Sequence, residues 1–105
     1  MWKTTLIMTT DDWRTEPVIA LSEAIASLSN AEEVAGLLRD LCTRREITEM
    51  ASRWQIVRLL DSGLSYRDIA QQTGASTATV TRVSQWFHHG TGGYQLALNR
   101  RQEDS

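Results

Sequence analysis

Apolar residues recur every three to four positions along most of this chain, which is the spacing of one face of an α-helix. The single proline, Pro17, is placed where a first helix can begin. The pattern then predicts a helix after Ser29, a longer helix over 43–61, two short helices over 65–73 and 76–87, and a last helical piece over 94–101. No segment alternates as a half-buried strand would, so the sequence predicts an all-α protein.

The predicted helices are bounded by residues that commonly begin and end them. Ser29–Glu32, Thr43–Glu46 and Ser65–Asp68 have the spacing of a capping box, in which the hydroxyl accepts an N–H of the first turn and the acidic side chain reaches back. Ser76 can cap the following helix. Gly63 lies just past the long helix, where a left-handed residue is favoured.

The predicted helix over 43–61 has an unusually wide apolar face. One stripe is formed by Ile47, Met50, Trp54, Val57 and Leu60, with Ile56 and Leu59 beside it. A stripe of this width is more than one neighbouring helix requires. The sequence therefore predicts a central helix that a second subunit shares.

The chain of 105 residues is long enough for one domain, and 41% apolar and 23% charged residues are typical of a globular protein. We expect an N-terminal extension over 1–16, one helical domain over 17–101 and a tail over 102–105. The single cysteine, Cys42, cannot form an internal disulfide, which favours a reducing compartment. Apolar runs are too short for a membrane span or a signal peptide, so we expect a cytoplasmic protein.

Charge is distributed unevenly along the chain, although the formal net charge is only −2. Residues 1–40 hold three basic and seven acidic side chains, whereas residues 53–101 hold six basic and two acidic ones. A basic half suggests a face that meets an anion such as DNA, and an ordinary mixed surface is the alternative.

The segment over 65–87 has the pattern of a helix-turn-helix. The first helix needs a small residue where the second crosses it, and Ala70 takes that position. Gly74, four residues later, tolerates the left-handed conformation of a tight turn. The residues spaced to point into the rest of the domain are Ile69, Val80 and Val83.

The start of the second short helix is small and polar, which suits close approach to base edges in the major groove. Arg67 on the first helix and Arg82 on the second are placed to reach phosphates, as are two threonine hydroxyls. The candidate DNA-binding residues are Arg67, Ser76, Thr77, Ala78, Thr79, Thr81 and Arg82. A helical hairpin that docks on a protein partner and does not bind DNA itself is the alternative interpretation.

Several of these segments resemble the Trp repressor family. Asp40–Thr43, Thr73–Thr79 and Gly92–Gln95 are similar to its YerC/YecD-type subgroup, and Ala78–Val83 is similar to the family as a whole. The resemblance extends over about residues 18–100. It implies an intertwined, all-helical homodimer whose two helix-turn-helix heads contact successive major grooves of double-stranded DNA. It also implies a sequence-specific regulator that represses transcription.

The same resemblance raises the question of an effector. In the Trp repressor, tryptophan lies between two arginines beside the heads, and the matching residues here are Arg53 and Arg82, with Thr43 and Thr79 nearby. Where that protein has a glycine this chain has Val83, whose side chain would fill the cavity. We therefore expect neither a tryptophan corepressor nor another cofactor. The alternative for the two arginines is that Arg82 contacts phosphate and Arg53 supports a neighbouring helix end or acid.

Other residue types suggest no second chemistry. His88 and His89 point about 100° apart on a helix, so a solvated helix end is favoured over a metal site. Cys42 is expected to be a small core residue, and Trp54 and Trp86 are expected in the core or an interface. The sequence lacks a nucleophile with its base, a phosphate-binding glycine loop and paired carboxylates, so we expect no enzymatic activity.

Overall fold

The computed structural model of the chain describes residues 12–104, with side chains over 12–101. Within this range the helices are α1 (Glu16–Ala26), α2 (Ala31–Leu41), α3 (Arg44–Asp61), α4 (Tyr66–Thr73), α5 (Thr77–His89) and α6 (Gly93–Asp104). No strand is present in the described part of the chain, which confirms the all-α prediction. None of these helices is long and apolar enough to cross a membrane.

The first of two compact units ends at Leu41 and contains α1 and α2. Pro17 lies at the start of α1, as predicted. The capping box predicted before α2 is wrong by one residue, because the Glu33 N–H donates to Asn30 Oδ1 (2.9 Å) and the Ser29 N–H donates to Glu33 Oε1 (2.7 Å). Asn30 is therefore the cap, since its amide oxygen reaches the third residue of the helix.

The second unit begins at Cys42, and α3 lies at its centre. Both predicted ends of α3 are confirmed. Thr43 Oγ1 accepts from the Glu46 N–H (3.1 Å), and the Thr43 N–H donates back to Glu46 Oε1 (2.8 Å). At the other end Gly63 has φ of 88°, and the Leu64 N–H donates to the Leu59 carbonyl (3.2 Å). This bond satisfies a carbonyl of the last turn, as in a Schellman motif.

The core of the second unit is formed by one or two side chains from each of its helices. The buried residues are Ile56 and Val57 of α3, Ile69 of α4, Val80 and Val83 of α5, and Leu98 of α6. The apolar stripe of α3 is therefore centred on Ile56 and Val57, whereas Ile56 was predicted to lie only beside it. Met50, which was expected on the stripe, is 38% exposed. The helices of this unit cover the C-terminal half of α3 and leave Met50 accessible.

The connection from α5 to α6 is short and tightly packed. An added Cβ at Gly90 would lie 2.4 Å from the Trp86 carbonyl oxygen, so no larger residue fits there without a shift of the backbone. The Gln95 amide donates to the Phe87 carbonyl (3.1 Å), which satisfies an acceptor near the end of α5. Tyr94 packs on Trp54, with ring centroids 6.4 Å apart. These contacts attach α6 to the core.

Candidate nucleic-acid interface

The turn between α4 and α5 has the conformation that the sequence predicts. Gly74 is left-handed, with φ of 78° and ψ of 0°, and its N–H donates to the Ala70 carbonyl (2.9 Å). Ser76 then caps α5, because its Oγ accepts from the Thr79 N–H (3.1 Å). Ser65 caps α4 in the same manner. We call this pair of helices with its turn, residues 65–89, the head.

The residues predicted to point inward hold the head against the rest of the second unit. Ile69 and Val80 are fully buried, and Val83 is 5% exposed. Ala70 is half-buried and packs against the same core. Because Val80 and Val83 occupy one side of α5, the opposite side of that helix faces solvent.

Most predicted DNA-contacting side chains lie on the solvent side of the head. The exposed ones are Arg67, Ser76, Thr77, Ala78, Thr81 and Arg82, whereas Thr79 is half-buried. No ion pair to Arg67 or Arg82 is found among the described residues, so neither positive charge is neutralised there. A phosphate can therefore approach either guanidinium without first breaking a salt bridge.

The hydroxyl groups of α5 differ in their availability. Ser76 Oγ and Thr79 Oγ1 lie 3.0 Å apart, and Thr81 Oγ1 donates to the Thr77 carbonyl (2.9 Å). The Thr77 hydroxyl has no hydrogen-bond partner among the described side chains, and Ala78 offers only a methyl group. The exposed start of α5 therefore presents to a base edge the Thr77 hydroxyl, which makes no hydrogen bond among the described residues, and the Ala78 methyl group.

The solvent side of α5 borders a shallow hollow of about 440 Å³ that extends from its first turn to its last. Its lining residues are Ala78, Thr81, Arg82, Gln85, Trp86 and His89. Trp86, expected in the core or an interface, is 61% exposed in this chain. Trp54, by contrast, is partly buried against the core, as expected.

The hollow beside Arg82 does not bring together the effector residues that the resemblance implies. Thr43, Arg53 and Arg82 are exposed, and the hollow beside Arg82 is lined by neither Thr43 nor Arg53. Val83 packs into the core of the unit. The absence of a tryptophan corepressor stays a prediction. Among the described residues, no group of three or more potential metal ligands is present.

One polar contact inside the head was not predicted from the sequence. The Tyr66 hydroxyl hydrogen-bonds to Ser84 Oγ, and Ser84 is only 2% exposed. A signal for it was present, because Ser84 falls on the inward face of α5 beside Val80 and Val83. A buried hydroxyl at such a position normally has a hydrogen-bond partner.

Two helices joined by a glycine turn, packed on α3 and α6, with small exposed side chains at the start of the second, define a helix-turn-helix protein. The sequence model described as "Trp repressor protein" matches residues 16–102. YerC of Bacillus subtilis (strain 168) is 38% identical over 96 residues, which cover 91% of this chain and 92% of that protein. The chain belongs to the Trp repressor family, and its similarity to YerC confirms the predicted subgroup.

Solved structures agree with this assignment. A TrpR-like protein from Eubacterium eligens ATCC 27750 is 36% identical, with a TM-score of 0.79 over 85% of this chain and 92% of that chain. A Staphylococcus aureus structure described in relation to the Trp repressor is 34% identical, with a TM-score of 0.80 over 91% of this chain and 96% of that chain. These likenesses confirm the Trp repressor-like fold. Membership of a regulator family also supports the expectation of a non-enzymatic protein.

Proposed function

We propose that this protein is a sequence-specific, double-stranded DNA-binding regulator that represses transcription as a homodimer. The observation that carries the proposal is the exposed N-terminal turn of α5, whose small side chains stand on the outside of a head fixed by buried residues. A helix presented in this manner can enter the major groove, which is wide enough to admit it.

Charge supports the same partner. Arg67 lies in the first turn of α4 and Arg82 lies beyond the first turn of α5, and both are exposed. Arginine is a strong donor to phosphate oxygens, and phosphate contacts fix the register of a protein on the duplex. We assign base-edge contacts to Thr77 and Ala78, and phosphate contacts to the two arginines.

Uncovered apolar surface supports the homodimer. No residue of α2 is buried, although Val34, Leu37 and Leu38 form an apolar side of that helix. Met50 on α3 is 38% exposed. A chain of this size buries a limited share of its surface alone, so a second copy is the natural cover for such residues. Two heads about 34 Å apart then meet successive major grooves of a roughly palindromic site.

The test is a selection of bound duplexes from a random pool, followed by anisotropy titrations of the selected duplex at two salt concentrations. Two arginines in each of two heads neutralise about four phosphates, so raising the salt from about 50 to about 200 mM should lower the affinity by about a hundredfold. Failure to enrich any duplex would contradict the proposal. Binding that does not change with salt would contradict the phosphate contacts.

One observation favours a second candidate, a helix-turn-helix that docks on a protein partner and does not bind DNA itself. Trp86 is 61% exposed, and tryptophan is enriched at the centres of protein interfaces. The same selection distinguishes the two functions. A stable homodimer that enriches no duplex would favour the protein-docking module.

Arg82→Ala should weaken binding to every duplex by a similar factor, about tenfold, because a phosphate contact carries no sequence information. The slope of log affinity against log salt should fall by about two, one for each head. Anisotropy titrations with the selected duplex and with a shuffled duplex of the same composition measure both effects. Arg100→Ala, which changes an exposed arginine of α6 outside the head, is the control and should leave both affinities and the salt slope unchanged. A loss confined to the selected duplex would show that Arg82 reads bases.

A further inference from the structure

One hydrogen bond joins side chains of α4 and α5 within the described part of the chain, and it links the Tyr66 hydroxyl to Ser84 Oγ. Ser84 is 2% exposed and is the one buried polar residue among those the structure describes, whereas Tyr66 is 41% exposed. Without the Tyr66 hydroxyl, the Ser84 hydroxyl can still donate to a backbone carbonyl one turn earlier in its own helix, as serine in helices often does.

The bond between Tyr66 and Ser84 lies away from the turn that connects the two helices of the head. The turn at Gly74 joins the C-terminal end of α4 to the N-terminal end of α5. Tyr66 is the first residue of α4, and Ser84 lies in the second half of α5. The bond therefore joins the first residue of α4 to the middle of α5, on the side of the head away from the turn.

Between the turn and this bond, the helices are held by apolar contacts, chiefly those of Ile69 and Val80. Apolar packing resists separation of two helices but is non-directional. A hydrogen bond weakens steeply when its angle or length changes. The Tyr66 to Ser84 bond is thus suited to oppose changes of the crossing angle that packing tolerates.

We infer that Tyr66 is a positioning residue, which holds α5 at the crossing angle that directs Thr77 and Ala78 into the groove; the inference rests on the proposed function. Tyr66 acts through Ser84 and contacts no base. Loss of the bond should widen the range of angles that α5 adopts. Specific binding needs one crossing angle between α4 and α5, whereas non-specific binding to phosphates tolerates a range of crossing angles.

The experiment compares Tyr66→Phe, Ser84→Ala and the double variant. Each is titrated against the duplex selected by the parent protein and against a shuffled duplex of the same composition. Each variant should lower the ratio of specific to non-specific affinity by about tenfold over the two heads. The double variant should lose no more than either single variant, because all three lack the same bond.

The chain offers a matched control. Tyr94 is the other tyrosine, and its hydroxyl has no hydrogen-bond partner among the described residues. Tyr94→Phe should therefore keep the affinity ratio of the parent. Thermal denaturation of each variant distinguishes a change in the orientation of α5 from a loss of stability. If the bond only stabilised the fold, both affinities would fall together with the midpoint temperature of unfolding.

Three results would overturn the inference while the parent still binds its selected duplex. The affinity ratio could remain that of the parent in Tyr66→Phe. Both affinities could fall in parallel with stability. Tyr66→Phe could lose selectivity while Ser84→Ala keeps it, which would show that the hydroxyl acts on something other than Ser84. A parent protein that binds no duplex would instead refute the proposed function, and the positioning role with it.

Discussion

Met50→Asp should convert the protein to a monomer and lower its affinity for a palindromic duplex by about a thousandfold, because the second head would no longer bind as part of the same molecule. Met50 is 38% exposed on the half of α3 that the second unit leaves accessible. A carboxylate placed in an apolar contact with a second copy would lose its hydration without gaining a partner.

Two measurements check this result. Sedimentation or light scattering should show the mass falling from twice 11.9 kDa to 11.9 kDa, and anisotropy should show the loss of specific binding. Thr48→Asp adds the same charge to an exposed position on the other side of α3, and it should remain dimeric. A Met50→Asp protein that stays dimeric and binds the duplex with the affinity of the parent would place the dimer contact elsewhere.

Ala78→Leu should abolish the sequence preference of the parent while leaving non-specific binding intact. Ala78 is the second residue of α5 and is exposed, so a larger side chain there would fill space that the proposal gives to a base edge. Loss of one base-edge contact in each of the two heads should lower the affinity for the selected duplex by about a hundredfold. Phosphate contacts by Arg67 and Arg82 would be unaffected, and so would the affinity for a shuffled duplex.

The measurement is a pair of titrations, followed by a new selection with the variant. A different enriched sequence would identify the base pairs that the side chain at position 78 contacts. Ala97→Leu makes the same substitution at an exposed alanine of α6 and should select the same sequence as the parent. If Ala78→Leu selects the parent's sequence with the parent's affinity, the reading face of α5 is assigned wrongly.

Features that depend on a few neighbouring residues could be predicted from the sequence. The capping box at Thr43, the Ser76 cap and the left-handed Gly74 are all confirmed, because each is decided by hydrogen bonds or φ within one turn of chain. Even such local signals have limited precision. Ser29 and Asn30 are both good caps, and the sequence pattern alone did not distinguish them.

The sequence by itself determined the starts of α3, α4 and α5, the small residue Ala70 and the inward side of the head. Tertiary structure decided that Ile56 joins Val57 at the centre of the core, that Trp86 lies outside it, and that Tyr66 meets Ser84 across 18 positions of sequence. The physical reason is that a cap or a turn is satisfied within its own segment. Burial and long-range hydrogen bonds depend on which helices pack together and at what angle.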